Sequence, residues 1–106
     1  MIYMAIYVNK EKAKKYLSTP SEKEWFYLQN GKVLKNIYDL REYLNNCTEQ
    51  EYSEHIRKDE NDFYNWVIGV FGNGRLGEGL EKARTSNEAR LYVDRNISML
   101  ERNIKR

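Results

Sequence analysis

Between Phe63 and Phe71 the apolar residues Phe63, Trp66, Val67, Val70 and Phe71 recur at i, i+3, i+4, i+7 and i+8. Wound at 3.6 residues per turn, they make one continuous stripe along a helix, and a stripe of that size must be buried against something. Asn61 and Asp62 stand where a helix start needs side-chain acceptors. Gly72 stands where a left-handed residue can end it. The chain is therefore a packed domain, and its 106 residues suit one core rather than two.

The remaining sequence supplies partners for that stripe. Trp25-Phe26-Tyr27-Leu28 and Val33-Leu34 flank Asn30-Gly31, which predicts a β-hairpin over residues 24–35 with a two-residue type I′ turn. In that register Leu28 faces Val33 and Tyr27 faces Leu34. Asn36 and Asp39 open a helix with Ile37, Leu40 and Leu44 on one side. Thr48 and Glu51 form a capping box for a short helix that carries Tyr52 and Ile56 and contains His55. After Gly72 comes a short helix with Leu76, Leu80 and Ala83. Thr85 and Glu88 form a second capping box before a long final helix, whose buried face is Ala89, Val93, Ile97, Leu100 and Ile104. Residues 1–20 allow two readings. Ile2–Val8 is a short strand followed by a helix from Lys10 to Leu17 capped by Asn9, or the whole segment is one helix stopped at Ser18-Thr19-Pro20. The fold class is α+β, mainly α: a small N-terminal hairpin packed on four to five short helices and one long C-terminal helix, with residues 36–106 helical.

Several functional classes are excluded. Met1–Val8, the longest uncharged apolar run, is far shorter than the roughly 20 residues that cross a bilayer. It also lacks a signal peptide's basic start and cleavage site, so the expected location is the cytoplasm. One cysteine, Cys47, cannot form an internal disulfide, and as a nucleophile it would need a base such as His55 beside it. One histidine makes no multi-histidine metal site, so no metal or cofactor is expected. Net charge is only +2, a weak basis for binding nucleic acid. Lysines do cluster at Lys10, Lys12, Lys14 and Lys15, and cations again at Arg95, Arg102, Lys105 and Arg106. Both runs read as solvated helix faces, with the first as the candidate nucleic-acid contact. The nine tyrosines read as half-buried packing residues.

Two constellations carry candidate chemistry. Gly72-Asn73-Gly74-Arg75-Leu76-Gly77 is G-x-G-x-x-G, with Asp94 near the position of a ribose-binding acid. A dinucleotide site needs a strand before the glycines, however, and the preceding stripe has helical period. The chain also leaves only about thirty residues for further strand–helix units. A loop between two helices is the better reading, and without a Gly-Lys-Ser/Thr there is no P-loop. The second constellation is the corner of His55, Asn61, Asp62 and Trp66, a candidate ligand-binding group. There a histidine beside carboxylates is either a general base or a side chain tying down the connecting loop.

Phe26-Tyr27-Leu28, Gly31, Asp39-Leu40, His55, Asn61-Asp62-Phe63, Asn65-Trp66-Val67, Val70-Phe71-Gly72, Leu76 and Leu80 together resemble a family of archaea and bacteria known only as a domain of unknown function. The resemblance spans roughly residues 24–86. It implies a hairpin with a glycine turn, a helix, a histidine, and an Asn-Asp-Phe-x-Asn-Trp helix ending at glycine. The chain departs from that pattern at Ile56-Arg57, Gly69, Asn73 and Gly77. The family implies no activity. A small non-enzymatic module that docks a protein partner or self-associates is the expected function, with nucleic-acid binding as the alternative.

Overall fold

The computed structural model describes residues 8–105. In chain order these form α1 (Lys10–Leu17), a short 3₁₀ turn (Glu22–Glu24), β1 (Phe26–Tyr27), β2 (Val33–Leu34), α2 (Ile37–Asn46), α3 (Glu49–Ser53), β3 (Ile56–Arg57), β4 (Glu60–Asn61), α4 (Asp62–Trp66), a π-helical turn (Val67–Phe71), α5 (Gly74–Lys82) and α6 (Ser86–Lys105). The mainly helical α+β expectation holds. The strand expected at Ile2–Val8 falls, Val8 apart, outside the described residues. The single long helix to Leu17 is ruled out at Asn9, which is extended and whose side chain accepts the Lys12 amide.

The stripe from Phe63 to Phe71 is helical throughout, and its last five residues widen into the π turn. Phe63, Trp66, Val67 and Phe71 are buried and Val70 is half-buried. Gly72 takes the left-handed conformation at φ 70°. Its amide donates to Ile68 O (3.0 Å) and that of Asn73 to Val67 O (3.4 Å), so the orphan carbonyls of the helix end are met locally. Phe63 is fully buried, with Phe26 and Tyr52 stacked on it at centroid distances of 5.3 and 5.8 Å.

The caps at Asn36, Thr48 and Asn61 form as the sequence predicts. Two local expectations need correction. The first hairpin pairs Phe26 with Leu34 and Tyr27 with Val33, one residue out of the predicted register. Its loop has three residues, Gln29-Asn30-Gly31. Gly31 N–H donates to Leu28 O and only Gly31 is left-handed, at φ 88°. Asn30 stays at negative φ because its side-chain oxygen accepts the Lys32 amide, closing a local turn that a type I′ geometry does not contain. The second correction concerns α3, which stops at Ser53. His55 and Ile56 leave it for a second hairpin that pairs Ile56 with Asn61 and Arg57 with Glu60.

Helix α6 is the spine, with α1, α2 and α5 packed along it. The second capping box is only half formed. Thr85 Oγ1 accepts the Glu88 amide, but the Glu88 carboxylate accepts from Arg84 N rather than from Thr85. Glu49 of α3 supplies a further carboxylate at this helix start, accepting from the Ser86 amide (2.8 Å) and hydroxyl.

Tyr52 lies stacked on Phe63 with its hydroxyl buried and without a partner among the described residues. A buried unpaired hydroxyl costs about 1–3 kcal/mol, so Tyr52→Phe is expected to raise stability by about 1 kcal/mol. Urea unfolding checks this, and a clear loss of stability would show that the hydroxyl is satisfied.

Candidate functional site

The histidine corner is built by the second hairpin. Its two-residue turn, Lys58-Asp59, brings His55 opposite Asp62, and the Asp62 amide donates to His55 O at 3.0 Å. The His55 ring sits 5.0 Å from the Phe63 centroid and edge-on to Phe26 at 5.4 Å. Its Nδ1 lies 3.2 Å from Asp62 Oδ2, and Arg57 closes on both oxygens of the same carboxylate at 2.5 and 3.3 Å. Burial works against the Asp62 charge, yet the hydrogen bonds and charges of Arg57 and His55 hold its carboxyl below the usual range. An ionised carboxylate only accepts, so the ring is held in a form that donates from Nδ1.

The other members of this corner also make hydrogen bonds within the fold. The Asn61 side chain caps α4 by accepting from Tyr64 N, and it donates to Leu80 O at 3.2 Å. Trp66 is buried, and its Nε1 donates to Glu24 O at 2.7 Å, pinning the 3₁₀ turn to α4. Cys47 bonds the Leu44 carbonyl, and burial, followed by Glu51 and Glu49, raises its thiol pKa. A thiol held protonated is a poor nucleophile. The corner is a latch between hairpin, helix and aromatic core.

The glycine motif serves three separate purposes in the fold. Gly72 ends one helix, Gly74 opens the next, and Gly77 lies inside α5 where a Cβ would stand 2.6 Å from Ile68 Cδ1. Asn73 is 2% exposed; it accepts the Leu76 amide and donates to Asn96 Oδ1 at 2.9 Å. Its side chain therefore occupies the helix start that a pyrophosphate would use. Lys10, Lys12, Lys14 and Lys15 are all exposed on α1.

A different feature emerges between α5 and α6: an open groove of about 640 Å³. From α5 it is lined by Arg75, Leu76, Glu78, Gly79 and Lys82, and from α6 by Tyr92, Arg95, Asn96, Met99 and Arg102. Gly79 makes the close approach possible, since a Cβ there would meet Tyr92 Cδ1 at 2.6 Å and Cγ at 2.7 Å. Its one acid, Glu78, is matched by Lys82 at 3.3 Å. Arg75, Arg95 and Arg102 make no ion pair among the described residues.

This charge is hidden in the overall balance. Residues 1–20 hold four cations and one acid, residues 21–71 six cations and ten acids, and residues 72–106 eight cations and five acids. Helix α1 lies along α6: Asn103 Nδ2 donates to Val8 O at 2.7 Å, and Tyr16 OH donates to Gly72 O at 3.3 Å. The cationic helix α1 and the C-terminal helix α6 are therefore neighbours in space.

No protein-family model, curated protein or solved structure matches the chain. The groove and the corner are thus read on their own chemistry. Of the groove residues, the sequence drew attention to Arg95 and Arg102, as part of a solvated run, but not to Arg75 or Lys82. The signal was present: Tyr92, Arg95, Met99 and Arg102 recur at helical spacing on a face beside the apolar stripe.

The depressed Asp62 pKa sets a pH dependence. A carboxyl whose folded pKa is lowered adds stability above its ordinary value near about 4, and that stability is lost as pH falls through the folded value. Asp62→Asn is expected to be less stable than the parent at pH 7 and to lose less stability between about pH 5 and 3. Thermal melts across that range check this, and parallel pH profiles would show that the latch carries no charge-dependent stability.

Proposed function

We propose that the chain is a non-catalytic docking module whose binding face is the α5–α6 groove, and that its partner is an acidic segment of another protein. The observation that carries this is the set of three arginines, Arg75, Arg95 and Arg102, that make no ion pair among the described residues, around a groove whose only acid among its described lining residues is matched by Lys82. Like charges gathered without counter-charges repel one another, and an incoming carboxylate relieves that cost. Half-buried Met99 and Tyr92 add apolar contact that a partner side chain can cover. The nucleic-acid alternative is less well supported, because affinity for phosphates scales with many cation contacts and the chain's middle segment is acidic. Kinship with the uncharacterised prokaryotic family resembled by the Asn61–Trp66 segment belongs to the same proposal.

The test is fluorescence anisotropy with a labelled, flexible poly-glutamate peptide at low salt. Saturable binding is expected, weakened by salt and cut at least tenfold by Arg95→Glu with Arg102→Glu. Lys14→Glu with Lys15→Glu on α1 is expected to leave it within about twofold, and circular dichroism confirms that both variants fold. Absent binding, or loss through the α1 pair instead, would overturn the reading. An oligonucleotide of equal charge binding more tightly would transfer the groove to nucleic acid.

A further inference from the structure

The groove specifies more than the sign of its ligand. On α5, Arg75 and Lys82 are seven residues apart, and on α6, Arg95 and Arg102 are also seven apart. At 1.5 Å rise per residue each pair spans about 10.5 Å along its helix, so the cations stand in two rows of equal pitch. The same groove is also lined by the half-buried Tyr92 and Met99 of α6. An extended peptide repeats its side chains on one face every two residues, roughly 6.6–6.8 Å, and does not keep step with that pitch. A helix does, because residues seven apart lie on nearly the same face and are separated by the same 10.5 Å.

Resting on the docking reading above, we infer that the occupant is an amphipathic helix of a partner protein. It carries an apolar stripe at i, i+3 or i+4, and i+7, flanked on each side by carboxylates seven residues apart. The stripe covers Met99 and Tyr92 while its two acidic edges meet the two cationic rows. This is the helix-in-groove mode, with charge setting the register. Gly79 belongs to the same design: it seats the Tyr92 ring against α5, so the ring walls the groove at that point.

The experiment compares two synthetic peptides of about 21 residues and identical composition. One places leucines on a helical stripe with glutamates at seven-residue spacing on both edges; the other carries the same residues scrambled. The patterned peptide is expected to bind at least tenfold tighter and to gain helical circular dichroism on binding. Arg95→Glu with Arg102→Glu is expected to lose that affinity, and a peptide with lysines replacing the glutamates of one edge is expected to restore it. Equal binding of both peptides would overturn the helical occupant while leaving the acidic docking face standing. Binding of neither peptide nor of poly-glutamate would remove the docking reading itself.

Discussion

Helix α6 is the constraint on which the rest of the structure depends. Twenty residues long, it buries Ala89, Val93, Ile97 and Leu100 along one face. A helix of that length is not secured by backbone propensity, since packing of its apolar face supplies most of the stability. Each neighbour is then fixed to it by a specific polar or close contact. Tyr38 of α2 donates to Glu101 at 2.9 Å, Glu49 of α3 accepts from Ser86, Asn103 reaches Val8, and Asn73 reaches Asn96. Asn96 and Asn103 are buried, so these bonds offset a desolvation cost that unpaired amides would leave standing. They fix which helix lies where; the apolar residues alone would tolerate slippage.

Among the described residues that arrangement leaves one flank of α6 without a covering element, and the groove runs along it. The histidine corner and the cationic groove are separate features of the structure. The histidine, aspartate and arginine that resemble a reactive group are spent on holding a two-residue turn against the aromatic core around Phe63. Arg75, Arg95 and Arg102, which make no ion pair among the described residues, stand elsewhere, between α5 and α6. A near-neutral net charge conceals this division because the acidic middle segment cancels the cationic ends. Charge distribution, not total charge, decides what a surface of this kind attracts.

How much of this is legible in the sequence depends on the range of the interaction. The caps at Asn36, Thr48 and Asn61, the stripe through Phe71 and the stop at Gly72 are set within four or five residues and could be read directly. The first hairpin's register could not, because Asn30 chose a side-chain turn over the φ > 0 conformation its type permits. The His55 hairpin was hidden for a similar reason: Ile56 and Tyr52 share helical spacing, but α3 stops at Ser53 and both Arg57 and His55 turn to Asp62 instead. Gly77 and Gly79 look alike in sequence to loop glycines, and only the packing of Ile68 and Tyr92 reveals them as contact positions. The groove is the least legible feature, since it needs the spacing of two helices that meet through a glycine.

The account's central claim is that the groove between α5 and α6 is where this molecule meets its partner. Amide chemical-shift mapping with an unlabelled acidic amphipathic peptide tests it most directly. The account expects perturbations along residues 75–82 and 92–102, with His55 to Asp62 undisturbed. Shifts centred on the histidine corner, or spread evenly over every exposed lysine, would contradict it.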